Sequence, residues 1–210
     1  MTDDTFVPND LPGSRATGLL GLMSRSPVEP VAESRSAIAA LVPAVRALDQ
    51  FAWETIFRQL YPRLMGYAGR GLGREAAQDA VSETMTRAVD RIGSFTWADD
   101  AFEAWIFGIL RNVVHDAQRA HARSVGRHAT QFERPDHEAS AGLLAREETE
   151  ELTAAFARLS PPEREILELR VVAGLSADEI AIALGKRPGA VRTAQSRALA
   201  KLRSFLEETP

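Results

Sequence analysis

Six basic residues, Lys186, Arg187, Arg192, Arg197, Lys201 and Arg203, occur with no acid among them in the stretch GKRPGAVRTAQSRALAKLR. Ammonium and guanidinium groups neutralise phosphates, and an arginine fork can also read a base edge. At ~100° per residue, Arg192, Thr193, Ser196 and Arg197 fall on one side of a helix, with Gly189 at its N-terminal end. Val191, Ala198, Leu199 and Leu202 fall on the other. One face is built to pack and the other is free to bind a polyanion. The 210-residue chain as a whole is acidic, with a formal net charge of −4. Its cationic character is therefore local, which argues against a protein that coats nucleic acid indiscriminately.

A second group of residues suits unpaired bases. In FTWADDAFEAWIFGILRNVVHDAQRAHARSVGR, the rings of Phe95, Trp97, Phe102, Trp105 and Phe107 precede Arg111, Arg119, Arg123 and Arg127. Aromatic faces stack on any base, while arginines follow the backbone. Phe102, Ile106, Ile109, Leu110 and Val113 keep helical spacing and are assigned to a core, leaving Trp97 in its polar loop for a different task. The four histidines, His115, His121, His128 and His137, lack the i, i+4 pairing of a helical zinc motif. No phosphate-cradling glycine loop and no serine elbow are present, so neither a cofactor nor a catalysed reaction is expected.

These groups need helices to hold them. Apolar residues recur at helical spacing from Ile38 to Tyr67, then over REAAQDAVSETMTRAVDRI and DAFEAWIFGILRNVVHDAQRAHA, which predicts a four-helix domain over 34–125. Residues 1–33, with Pro8, Pro12, Pro27 and Pro30, read as a flexible tail carrying one apolar piece, ATGLLGLM. Residues 126–145 read as a linker, and a second helical domain is expected over 146–210. Within it, Ser160 followed by Pro161, Pro162 and Glu163 starts one helix, and Ser176 with Glu179 forms a capping box for the next. Gly174 and Gly185 supply left-handed helix ends. Two short helices, a glycine turn and a longer basic helix make a helix-turn-helix, whose second helix enters the major groove of DNA.

The sequence contains no cysteine, so the fold stands on packing without disulfides. No stretch approaches the ~18 apolar residues that would span a bilayer, which predicts no membrane insertion. The opening MTDDTF is acidic where a secretory signal is basic, so a cytoplasmic location is expected. From the residues alone, a stand-alone helix-turn-helix regulator with a helical dimerisation or effector domain and a helical adaptor that never touches DNA both stay open.

The combination resembles the extracytoplasmic-function sigma factors of bacterial RNA polymerase over about 39–206. The similarity lies in FRQLYPRLMGYA, AAQDAVSETMTRAV, FEAWIFGILRNVVHDAQR and LSPPEREILELRVVAGLSADEIAIALGKRPGAVRTAQSRALAKLR, in that order. The resemblance implies an all-α chain with sigma domains two and four. It implies that Asp79, Val81, Glu83 and Thr84 meet the clamp helices of core RNA polymerase. Trp97, Trp105, Arg111, Asn112, His115 and Arg119 would open and read the −10 element of promoter DNA. Lys186, Arg187, Arg192, Thr193, Ser196 and Arg197 would read the −35 element. It further implies a linker whose Glu133, Asp136 and Glu138 lie in a basic polymerase channel, and an anti-sigma factor as regulator.

Overall fold

The structure is a computed structural model and describes residues 29–96, 98–125 and 143–208. Among these every regular element is a helix. The expectations for residues 1–28, for Trp97 and for the linker acids lie outside the described residues.

The first domain consists of α1 (Glu29–Arg46), α2 (Gln50–Gly71), α3 (Arg74–Arg91) and α4 (Phe102–Val125), with short 3-10 turns at Ile92–Ser94 and Asp99–Ala101. Helix α1 begins before the predicted domain boundary at 34, taking up Pro30 in its first turn. Proline lacks only an N–H that has no helical partner there, so Pro30, which read as part of the tail, is compatible with a helix start. Asp49 caps α2, its carboxylate accepting from the Ala52 N–H at 2.7 Å.

Leu60, Leu64, Phe102, Phe107 and Leu110 are fully buried between these helices. Each contributes ~1.5–3 kcal/mol by leaving water. The residues assigned to the core of α4 from spacing, Phe102, Ile106, Ile109, Leu110 and Val113, are all buried.

The second domain consists of α5 (Leu143–Ala157), α6 (Pro161–Val171), α7 (Ala177–Leu184) and α8 (Pro188–Glu207). The capping box predicted at Ser176 is present, and the helix start predicted at Ser160 proves to be a second one. Glu163 Oε2 accepts from the Ser160 N–H at 3.0 Å and from its hydroxyl at 2.7 Å. Ser176 N–H donates to Glu179 Oε2 at 2.6 Å and Glu179 N–H donates to Ser176 Oγ at 3.2 Å. Gly174 and Gly185 end their helices at φ 67° and 61°, where a side chain would be strained.

The two domains are not independent bodies. Leu169, Ala173, Leu175, Ile180, Ala181 and Val191 belong to the same buried cluster as α2 and α4. A smaller cluster, including Leu159, Leu167, Ala198 and Leu202, ties α8 to the rest of the second domain.

Candidate nucleic-acid interface

Helix α8 has the two faces its periodicity predicts. Val191, Ala198 and Leu202 are fully buried, whereas Lys186, Arg187, Arg192, Thr193, Ser196 and Arg197 are all exposed. The Thr193 hydroxyl donates to the Gly189 carbonyl at 3.0 Å. Arg192 Nη1 lies 3.0 Å from Asp178 Oδ1 of α7, a surface pair that orients the guanidinium without burying it. Lys201 is held by Glu163, Nζ to Oε1 at 2.5 Å. That bond and those from Ser160 lower the Glu163 carboxyl to about 2.

Helix α4 presents its basic residues differently. Arg111 donates through Nε and Nη2 to the two oxygens of Glu165, at 2.7 and 3.3 Å, and His115 Nε2 lies 3.1 Å from the same carboxylate. Glu165 stands on α6, so the contact crosses from one domain to the other. Asn112 is exposed and accepts from Arg111 Nη1 at 3.4 Å. Arg119 is exposed and donates to Asp116, whose carboxyl is lowered chiefly by that bond. Trp105 is half-buried against Phe95 and Phe102, with ring centroids 5.1 and 5.6 Å away. The Arg46 guanidinium lies 5.2 Å from the Phe95 ring centre, adding a cation to this aromatic corner that spacing alone did not reveal.

The expected polymerase surface divides in two. Asp79 and Glu83 are exposed on α3, with Glu83 accepting from Arg87 at 2.7 Å. Val81 and Thr84 are instead fully buried, and the Thr84 hydroxyl donates to the Ala80 carbonyl at 2.7 Å. With Ala77, Ala80 and Ala88 they form the inner stripe of α3, so they hold the helix in place and present nothing to a partner.

Between the domains, Arg63 of α2 pairs with the buried Glu103 at 2.6 Å and donates through Nε to the Ala173 carbonyl at 2.9 Å. Arg70 lies 3.3 Å from Glu168, whose carboxyl is raised by burial against the pull of that arginine. Burial also pushes the Tyr67 hydroxyl up, helped by Glu165 and Glu168, so it stays protonated. Among the described residues no group of histidines and carboxylates could hold a metal ion, and no helix is long and apolar enough to cross a membrane.

A four-helix domain is thus followed by a helix-turn-helix domain, each with its own basic helix. The Sigma-70 region 2 family matches residues 56–124, and the Sigma-70, region 4 family matches 149–202. The chain is 32% identical over 166 residues to the ECF RNA polymerase sigma factor BldN of Streptomyces coelicolor, covering 78% of this chain and 60% of that protein. It is 32% identical over 193 residues to ShbA of Streptomyces griseus, covering 84% of this chain and 98% of that protein. Two solved structures share the fold at 24% identity. CnrH bound to the cytosolic domain of CnrY has a TM-score of 0.62, covering 83% of this chain and 99% of that one. RpoE bound to the anti-sigma factor NepR from Bartonella quintana has a TM-score of 0.56, covering 75% and 98%. The chain belongs to the family of extracytoplasmic-function RNA polymerase sigma factors. It is an RNA polymerase sigma factor, and nothing favours a stand-alone regulator.

Proposed function

We propose that the work of initiation divides between the two domains as their surfaces suggest. Residues 34–125 bind core polymerase through Asp79 and Glu83 of α3 and capture the unpaired −10 strand through α4 and its neighbouring rings. The residues that meet that strand are Trp97, Trp105, Arg111, Asn112, His115 and Arg119. The stretch after α4 connects this unit to the second domain, which begins with α5 at Leu143 rather than at 146 and in which Lys186, Arg187, Arg192, Thr193, Ser196 and Arg197 read the −35 duplex. The protein works in the cytoplasm, catalyses no reaction itself and is held inactive by an anti-sigma factor, as the RpoE–NepR complex suggests.

The observation that carries this reading is the exposed cationic face of α8, seated on a helix-turn-helix whose other face is fully packed. Fixed geometry of that kind suits readout of a groove, because phosphate contacts set the register while one or two side chains reach base edges. The test mixes purified protein with bacterial core RNA polymerase, followed by gel filtration and run-off transcription on genomic fragments. Co-elution with promoter-specific transcripts is expected. Duplex binding by the free chain with no polymerase association would defeat the reading.

A further inference from the structure

Of the 25 lysines and arginines in the chain, only Lys186 and Lys201 are lysines. The distinction is chemical. A guanidinium stays protonated and has no lone pair to give, whereas an ammonium that sheds a proton becomes a nucleophile that acyl donors capture. With no cysteine in the sequence, stable acylation of side-chain nitrogen or sulfur comes down to these two amines. Both lie in the segment that holds the helix-turn-helix cations.

The fold treats the two amines differently. Lys201 Nζ lies 2.5 Å from Glu163 Oε1, and Glu163 is itself fixed by the Ser160 hydroxyl at the start of α6. Lys201 would have to leave that carboxylate before attacking anything. Lys186 is exposed in the turn between α7 and α8, and no carboxylate of the described residues pairs with it. Its backbone is held on both sides: Gly185 turns at φ 61°, the Lys186 N–H donates to the Ala181 carbonyl at 2.8 Å, and Pro188 opens the next helix. The amine is therefore offered to solvent from a fixed point, beside Arg187 and at the start of the cationic face of α8.

We propose that Lys186 is an acyl-acceptor site, taking acetyl or a similarly small acyl group from an acyl phosphate or an acyl thioester, and that its modification weakens −35 reading. Once Nζ has given a proton to water, its lone pair attacks the acyl carbonyl. A C–N bond forms, the bond from that carbon to the phosphate oxygen or thiolate sulfur breaks with its electrons, and the second proton leaving nitrogen goes to the departing group. A cation becomes a neutral amide, and nothing is oxidised or reduced. The neighbouring cations except Lys201 are arginines, so the change is confined to one charge. The effect on DNA rests on the −35 reading proposed above, whereas the choice of lysine does not.

The test incubates the purified full chain with acetyl phosphate and, in a second arm, with acetyl coenzyme A, and follows each lysine by peptide mass spectrometry. The arm that labels identifies the donor. Lys186 should be acetylated roughly fivefold faster than Lys201, the upper end of the protection that a surface ion pair confers, and Glu163→Gln should remove the difference. Equal rates at the two lysines of the native chain, or no labelling in either arm, would overturn the proposal. Holoenzyme is then bound to a duplex carrying the −35 element of a promoter recovered by run-off transcription. Acetylated chain and Lys186→Gln should each give a salt slope flatter than that of untreated chain by about 0.9, the share of one phosphate contact. In Lys186→Arg the same incubation should leave the slope where it stood before treatment. An unchanged slope in both the acetylated chain and Lys186→Gln would overturn the link to −35 reading. Failure of the −35 reading itself registers separately, as no salt-dependent binding of that duplex by untreated holoenzyme.

Discussion

The basic residues of α4 and those of α8 are both suited to nucleic acid, yet the free chain holds them in opposite states. Lys186 and Arg187 just before α8 and Arg197 on it stand exposed, and Arg192 is restrained by a surface pair with Asp178. On α4, Arg111 and His115 are closed over by Glu165 from the other domain, and Arg111 is only 26% exposed. The difference teaches that the cations at α8 are open to a partner as the chain stands, whereas Arg111 and His115 of α4 already share a carboxylate from the second domain.

The largest effect is expected where the closed side is anchored. Arg63→Ala leaves Glu103, 2% exposed, without its charged partner and removes the donors to Ala173. A loss of ~3–5 kcal/mol in urea unfolding is expected, the usual cost of stripping one member from a buried pair. A loss below ~1 kcal/mol would show that the anchor is dispensable. On the open side, Arg192→Ala should weaken −35 recognition by ~1–3 kcal/mol if it meets a base edge. Equal losses on native and altered −35 templates would restrict it to phosphate contact.

Acid should act first within the second domain, where Glu163 and its partners Ser160 and Lys201 all lie. Glu163 sits at about 2 in the folded chain, below the ordinary carboxylate value, so its bonds to Lys201 and Ser160 stabilise the folded state above the ordinary value. That contribution is lost as the pH falls from ~4.5 towards ~2. Thermal scans across that window should therefore show wild type losing stability more steeply than Glu163→Gln. Glu168 behaves in the opposite sense, because burial raises its carboxyl, and its charge costs stability as the pH rises through that raised value. Glu168→Gln should then leave neutral-pH stability unchanged or slightly improved, and a clear loss would give the Arg70 pair more weight than its geometry warrants. The smallest effect belongs to Asp178→Asn, which frees Arg192 from a pair of the kind worth ~0.2–1 kcal/mol. Binding of a −35 duplex should change by no more than a few-fold.

Much of the second domain was legible locally. The capping boxes at Ser160 and Ser176, the glycine ends at 174 and 185, and the two faces of α8 all depend on residues within about one helical turn of each other. The inward stripe of α3 was equally readable, because Ala77, Ala80, Val81, Thr84 and Ala88 keep helical spacing. Carrying the motif across from the family as a block placed Val81 and Thr84 on the wrong side of it. The bond from Arg111 to Glu165 was not legible at all. It joins residues 54 positions apart across the stretch between the domains, and no periodicity or cap encodes such a pairing. Gly66 and Gly108 carry no local turn signal either, and acquire meaning only once Val172 and Ala183 lie opposite them.

The hold of Glu163 on Lys201 has a consequence for ionic strength. Phosphate binding gains from releasing counterions condensed on DNA, and only a cation that brings no anion of its own contributes fully. Lys201 already carries Glu163, and Arg192 carries Asp178, leaving Lys186, Arg187, Arg197 and Arg203 in this segment. The logarithm of −35 duplex affinity should accordingly fall against the logarithm of salt with a slope no steeper than about −3.6 for this segment. Exchanging one intramolecular carboxylate for a phosphate moves a charge without freeing an ion.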